Sequence, residues 1–560
     1  MREARATDKD ASTTTTPIAG THVVDTTSRS LPEPEAAFGA VEAQDLLKRA
    51  PNSYLLNQIY GLWFFVSWFF LVLIITHTVS PEQYGVFAVA LTAYNTLLYI
   101  TALGLEDATT VYVPRLLVEH GAAAAALLIR RLLVIRIVLL LFFASALFFG
   151  IPLLATAIGS IPIKGATDFA SGLRDPKLLA HIAPIALYIA GSGITNLLTA
   201  LCAALMRMRL VLIISGLSQA AVLGVGFVVL RLGWGVDGML WLLAISSLLG
   251  AAAFLLRLAP FIFMPGATYK QSLAPVIRLS ISAWLTNLAT GALLKQASII
   301  LLGYAAISLV QIGYFNLSFQ LADAANTLLV AGFAGVGGAA LAAAFIGDNY
   351  ERLALSWRSL IKIETLLMAP VLVFCLFNAP NIVHMLYGSN FDAVGPLLAI
   401  FLFFNLLIRV LGTTIHQATM YVVGKPRLVV LSQWVGLLFV VVLGLLLIPR
   451  YGVAGALIAD GVSRAITGTM QLFFLWPLPH KYPLAFTLRL LLALTLAALP
   501  SLLWHPANHI LLALSATIFL LLCIGLLLLI KPLDTQDIGM IERVNPRMGK
   551  YLRWFAPQRK

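Results

Sequence analysis

The sequence predicts an all-α polytopic membrane protein of about fourteen transmembrane helices, arranged as two six-helix bundles in parallel pseudo-repeat plus two C-terminal helices. Three observations predict it. Of the 560 residues, 60% are hydrophobic and 11% charged, against roughly 45–50% and ~25% in soluble domains, so the excess apolar mass needs an apolar solvent. Between polar ends the apolar residues fall in runs of about 20, the length of helix that crosses ~30 Å of hydrocarbon. The chain also repeats itself at a spacing that takes in six such runs.

Taken in order, residues 1–50 carry Thr13 to Thr16, Pro32 and Pro34 and lack an apolar stretch. They predict a disordered cytoplasmic tail, not a cleaved leader. Marking each apolar run at its polar, Gly or Pro edges gives spans 55–77, 84–104, 126–149, 181–205, 210–230 and 236–257 in a first bundle, 51–265. Spans 279–303, 308–335, 361–378, 394–417, 428–449 and 453–476 make a second, 266–480. Spans 485–504 and 508–530 lie in 481–531, and 532–560 is a basic cytoplasmic tail.

Positive charge resists translocation, so Lys and Arg in the connections set the orientation. With the N-terminus inside, fifteen lie in internal connections and five outside, three of those five in the single long loop 151–180. Both termini are therefore expected in the cytoplasm. This distribution accounts for the net charge of +13 without nucleic acid, for which no basic domain or aromatic RNA-binding motif is present. Cys202, Cys375 and Cys523 all fall in apolar runs and read as packing residues.

The repeat is visible at two places. Arg209-Leu210-Val211 with Trp234-Gly235-Val236-Asp237-Gly238 is echoed 218 residues later by Arg427-Leu428-Val429 with Tyr451-Gly452-Val453-Ala454-Gly455. Tyr84-Gly85-Val86-Phe87 is echoed by Ile312-Gly313-Tyr314-Phe315 at an offset of 228. Six helices is an even number, so both copies share one orientation, the construction of an alternating-access transporter with its site between two lobes. Such a machine needs no catalytic residues, and no HExxH, P-loop or GxSxG motif is present.

Only four of the 37 Lys and Arg lie deep within spans, away from their ends: Arg136, Lys295, Arg409 and Arg464. Each costs at least ~2.5–3.5 kcal/mol at mid-membrane unless it meets a cavity or a partner. Helical spacing gathers Trp284, Asn287, Gly291, Lys295 and Ser298 on one face of the seventh helix, and Asn316, Gln320, Asp323 and Thr327 on one face of the eighth. On the tenth the set is Asn405, Arg409, Gly412, Thr413 and His416. These stripes predict a wet cavity in which Lys295 and Arg409 form a staggered cationic track. Arg464 stands one turn from Asp460 and is either neutralised by it or part of the site. Arg136 is near enough to the inner face to snorkel, and Glu106-Asp107 reads as a solvated turn.

With the repeat and the Ser80-Pro81-Glu82-Gln83-Tyr84-Gly85 turn, the chain resembles the polysaccharide-transporter branch of the multidrug/oligosaccharidyl-lipid/polysaccharide exporter superfamily, the O-antigen or exopolysaccharide repeat-unit flippases. The resemblance covers about 54–478 and rests also on Gly313-Tyr314-Phe315-Asn316 and Gly452-Val453-Ala454-Gly455. It implies a bacterial cytoplasmic (inner) membrane protein that moves a polyprenyl-diphosphate-linked oligosaccharide outward for lipopolysaccharide or exopolysaccharide synthesis. A polysaccharide polymerase and glycosyltransferases would be its partners. A diphosphate wants cations and a sugar wants amides and aromatic faces. Lys295, Arg409 and Arg464 are then candidates for phosphate, Asn316, Gln320, Asn405 and Trp284 for hydroxyls, and Asp323 or Asp460 for a coupling ion. No cofactor is expected beyond a Na+ or H+ gradient or the membrane potential. Three alternatives stand beside this reading. Drug/cation antiporters use buried carboxylates, which intramembrane cations outnumber here. Lipid II flippases carry a charged pair in the first helix, where Ser53 to Thr76 has none. A membrane polymerase or ligase has a large external catalytic loop, for which 151–180 is the longest candidate.

Overall fold

The computed structural model describes residues 33–150, 156, 176–266, 272–288, 293–345, 349–479, 482–503, 508–534, 538–539 and 553–555. All are helix or connection. The helices are α1 (Glu33–Thr78), α2 (Pro81–Ala102), α3 (Leu105–Ser145), α4 (Pro176–Ala204), α5 (Met208–Arg231) and α6 (Gly235–Ile262). They continue as α7 (Leu273–Asn287), α8 (Leu294–Tyr304), α9 (Leu309–Ala344), α10 (Tyr350–Phe377), α11 (Ala379–Tyr387), α12 (Val394–Leu411) and α13 (Thr413–Val422). The last are α14 (Pro426–Phe474), α15 (Leu484–Leu503) and α16 (His509–Ile530).

Among the described residues, eleven segments are long and apolar enough to cross a membrane. Most of their apolar surface points outward, as lipid-facing helices require. Leu141, Leu217, Leu256, Leu446 and Leu529 are all more than 60% exposed. Local chemistry sets several boundaries. Ser80 caps α2 by accepting from the Gln83 N–H at 3.3 Å, with Pro81 at the first helical position. Asn349 and Asn508 cap α10 and α16 in the same way, each at 2.9 Å.

The sequence-predicted segments differ from these helices at several places. The tail expected over 1–50 is helical from Glu33, while 1–32 lie outside the described residues. The seventh predicted span is described as α7 and α8, and residues 289–292 between them lie outside the described residues. The tenth is divided at Gly412, whose left-handed φ of 73° ends α12 and starts α13. The eleventh and twelfth run together in α14, which turns at Gly452 (φ 55°). Gly235, its counterpart in the earlier copy, has φ 56°. Most of the long loop 151–180 and most of 532–560 fall outside the described residues, and 176–180 already belong to α4.

In the packing, α4 lies on α3 and α6, α1 on α5, α10 on α12, and α12 on α14. The two parts of the chain meet most intimately where α2 crosses α9. There Gly313 stands so close to Gly85 that a Cβ on it would lie 3.1 Å from the Gly85 Cα. Tyr84, Phe315, Tyr387 and Phe391 are fully or almost fully buried around this crossing.

Candidate functional site

Behind the α2–α9 crossing lies a cavity of about 540 Å³, within the ~300–1,000 Å³ of small-molecule sites. Most of its wall comes from α1, α2, α4, α5 and α6, and α8 and α9 close it. Serine, threonine and amide side chains can face it because their helices spend their apolar residues on lipid and on one another. Ser67 of α1 donates to the Gln219 side chain of α5, and the Ser218 and Ser246 hydroxyls of α5 and α6 are 2.7 Å apart. Tyr94 of α2 and Tyr188 of α4 stack with ring centroids 4.0 Å apart and planes 13° apart. Tyr60, Trp68, Tyr99 and Phe319 add further aromatic surface.

Three of the sequence-predicted site residues, Asn316, Gln320 and Asp323, come together on this wall, one turn apart along α9. The Asn316 side-chain carbonyl accepts from the Tyr84 hydroxyl at 3.2 Å and from Gln320 Nε2 at 2.6 Å. Asp323 and Gln320 are half-buried.

The others are placed elsewhere. Lys295 is helical, in the first turn of α8, and its side chain lies outside the described residues; its neighbour Gln296 lines the cavity. Arg409 is not on the wall. Its guanidinium bonds Glu364 Oε1 of α10 at 2.8 Å and the Thr414 hydroxyl at 2.7 Å. Arg464 Nε is 2.8 Å from Asp460 Oδ2, and its guanidinium lies over the Phe319 and Phe401 rings. Asp460 is 1% exposed in that pair. Asn405 is buried in α12 away from the cavity. Trp284 donates from Nε1 to the Tyr99 carbonyl at 3.0 Å, and Asn287 to Asp107 at 2.9 Å. These two fasten α7 to the α2–α3 turn. His416 accepts from Trp357 Nε1 at 3.0 Å inside the α10–α13 contact.

Arg136 does not snorkel. It is fully buried, donating to the Gly193 carbonyl at 3.1 Å, to the Thr101 carbonyl, and to Glu106 at 3.0 Å. Glu106 is thus the counter-ion of a buried arginine and not a solvated turn. Sequence reasoning missed most of the wall, above all Tyr94, Asn95, Tyr188, Asn196 and Gln219. The available signal was the run of hydroxyl and amide residues at three- and four-residue steps on α4 and α5, namely Ser192, Thr195 and Asn196, and Ser215, Ser218 and Gln219. It also missed Glu364, a lone acid inside an apolar run. Among the described residues no cluster of His, Cys, Asp or Glu could hold a metal.

Residues 74–396 match a family described as "Polysaccharide biosynthesis protein". The chain belongs to this family. No curated protein sequence matches it. Among solved structures, this polysaccharide biosynthesis family member is similar to the lipid II flippase MurJ in an inward closed conformation, at 13% identity and a TM-score of 0.59 over 84% of this chain and 97% of that one. It is also similar to an inward-facing multidrug resistance MATE family transporter of the MOP superfamily, at 16% identity and a TM-score of 0.54 over 73% and 92%. These likenesses are of fold. The family member is an all-α polytopic membrane protein with a MATE- and MurJ-like fold.

Proposed function

We propose that the chain is an alternating-access flippase that carries a polyprenyl-diphosphate-linked oligosaccharide across the bacterial cytoplasmic membrane for surface polysaccharide synthesis. The observation that carries this reading is the cavity, whose wall of amides, hydroxyls and stacked tyrosines suits a glycan. Family membership points to the same pathway. The polyprenyl tail stays in lipid while the sugar passes through.

In this reading the chain crosses fourteen times. The eleven long segments are joined by α7 with α8, by α9, and by a second crossing in α14 beyond Gly452. The two halves, 51–265 and 266–480, share one orientation, supported by the matching φ of Gly235 and Gly452 and the contact of Gly85 with Gly313. Helices thirteen and fourteen follow, and both termini are cytoplasmic. The α1–α2 and α8–α9 turns are then external, and the α2–α9 crossing is the outer closure. Trp284 and Asn287 serve the opposite, inner closure.

Asn316 and Gln320 meet sugar hydroxyls, and Lys295 is assigned to the diphosphate. Arg409 and Arg464, closed on Glu364 and Asp460, belong to the framework, as does Asn405. Asp323 is the coupling candidate for Na+ or H+. Deletion of the gene tests the proposal. It should accumulate lipid-linked oligosaccharide on the cytoplasmic face, and unchanged glycolipid would refute it. A second reading, cation-coupled drug export, draws on Asp323 beside aromatic rings. Dye resistance on expression, with glycolipid unchanged on deletion, would favour it.

A further inference from the structure

The connection between α10 and α12 sends one large ring inward. Phe391 has no exposed surface, yet its neighbours Asn390 and Asp392 are both exposed. Gly388 (φ 75°) ends α11 and lets the chain fold into one 3-10 turn, Ser389–Phe391, which returns that side chain to the protein. Three tyrosines surround it. The ring centroids of Tyr84, Tyr314 and Tyr387 lie 6.0, 6.2 and 6.3 Å from that of Phe391, at interplanar angles of 90°, 74° and 62°, an edge-to-face arrangement. Tyr314 and Tyr387 belong to the second half and Tyr84 to the first.

We infer that the segment 388–392 is a wedge fixed to the second half, and that the outer closure opens when Tyr84 leaves its edge-to-face seat on Phe391. The inference rests on the alternating-access reading above and adds to it a latch and the residue that positions it.

The physical argument is one of which contacts cross between the halves. Rocking of two lobes separates contacts that cross them and spares contacts within one. Within the second half the wedge is well tied. The Tyr314 hydroxyl donates to the Asn390 carbonyl at 3.2 Å, and His384 Nδ1 and Asp392 Oδ1, 2.8 Å apart, join its two ends. Behind it α11 and α12 touch at their backbones, since a Cβ on Gly395 would lie 2.7 Å from the Pro380 Cα. Towards the first half the wedge offers the Phe391 ring to Tyr84, whose hydroxyl donates to Asn316 beside it. A ring edge against a ring face is directional but non-covalent, so it can part and reseat in each cycle. Deleting a contact made only in the closed state shifts the population towards the open one.

The test uses the full chain in right-side-out and inverted membrane vesicles, with Thr92→Cys as reporter. Thr92 lines the cavity on α2 and is 5% exposed. Labelling by an impermeant maleimide is counted above that of the parent protein, which keeps Cys202, Cys375 and Cys523. Phe391→Ala should raise the rate from outside severalfold and leave the rate from inside unchanged or lower. No rise from outside, or an equal rise from both sides, overturns the wedge. Should Phe391→Ala fail to insert, a reversible bridge decides. Tyr84→Cys with Phe391→Cys is linked by a short bis-methanethiosulfonate, and movement of a fluorescent polyprenyl-diphosphate oligosaccharide is followed before linking, after linking and after reduction. That bridge should stop movement reversibly. A bridge between Tyr387→Cys and Phe391→Cys, which stays within the second half, should leave it unchanged. Full movement with the first bridge in place, or equal arrest by both, overturns the wedge and leaves the flippase reading standing. No movement by the unsubstituted protein overturns the flippase reading, and the labelling asymmetry then decides the wedge.

Discussion

Arg136 has no exposed surface, yet its guanidinium is satisfied by two carbonyls and a carboxylate. Removing one member of such a pair leaves an uncompensated buried charge, at a typical cost of about 3–5 kcal/mol. Arg136→Ala should therefore lower the thermal unfolding temperature in detergent sharply, and Arg136→Met with Glu106→Gln should recover much of the loss. The same logic separates framework from site. Arg409→Ala, which strands Glu364, should reduce thermal stability together with export. Gln320→Ala should reduce export while the unfolding temperature stays within a degree or two. Stability curves and glycolipid export measured on the same variants check both. The sequence made each intramembrane charge conspicuous but not its partner, because Arg136 and Glu106 are 30 residues apart and Arg409 and Glu364 are 45 apart. Helical periodicity relates residues three and four apart on one helix. It carries no information about which neighbour a charge will face, so a polar stripe on the tenth helix reads the same whether it lines a cavity or meets another helix.

Among the elements, α2 and α9 decide how the cavity is closed at one end. Gly85 faces the Leu309 backbone and Gly313 faces Gly85, so no side chain fits between the helices at either position. Gly85→Val should hold them apart. An Asn316→Cys reporter, buried in the closed protein, should then become reactive to an impermeant maleimide added from outside, and continued protection would show that the crossing tolerates the valine. The tyrosine-glycine and isoleucine-glycine echo at 84–87 and 312–315 was legible because two helices that approach this closely both require glycine. The turn at Gly452 was legible for a related reason, its left-handed φ. The division at Gly412 was not, since apolar composition continues across it and hydrophobicity reports residence in the membrane rather than helical continuity. The first bundle's part in the cavity was hidden for the opposite reason. Much of its polar wall is serine and threonine, residues that bond their own helix as readily as a ligand.

At the scale of the whole molecule, alternating access predicts that the two ends of the cavity open in turn. Cysteines placed at Ser308 and at Asn349, in separate proteins, should label from opposite sides of the membrane, and labelling of both from one side would overturn the assigned orientation. The ion pairs have a further consequence. A charge driven through the full bilayer exchanges ~2.3 kcal/mol with each 100 mV. Arg136, Arg409 and Arg464 each travel with a carboxylate 2.8–3.0 Å away, so a swinging helix bundle drags almost no net charge through the field. These three pairs should therefore add little transient current when the unloaded protein reorients, and charge-neutral Arg136→Met with Glu106→Gln should leave its voltage dependence unchanged.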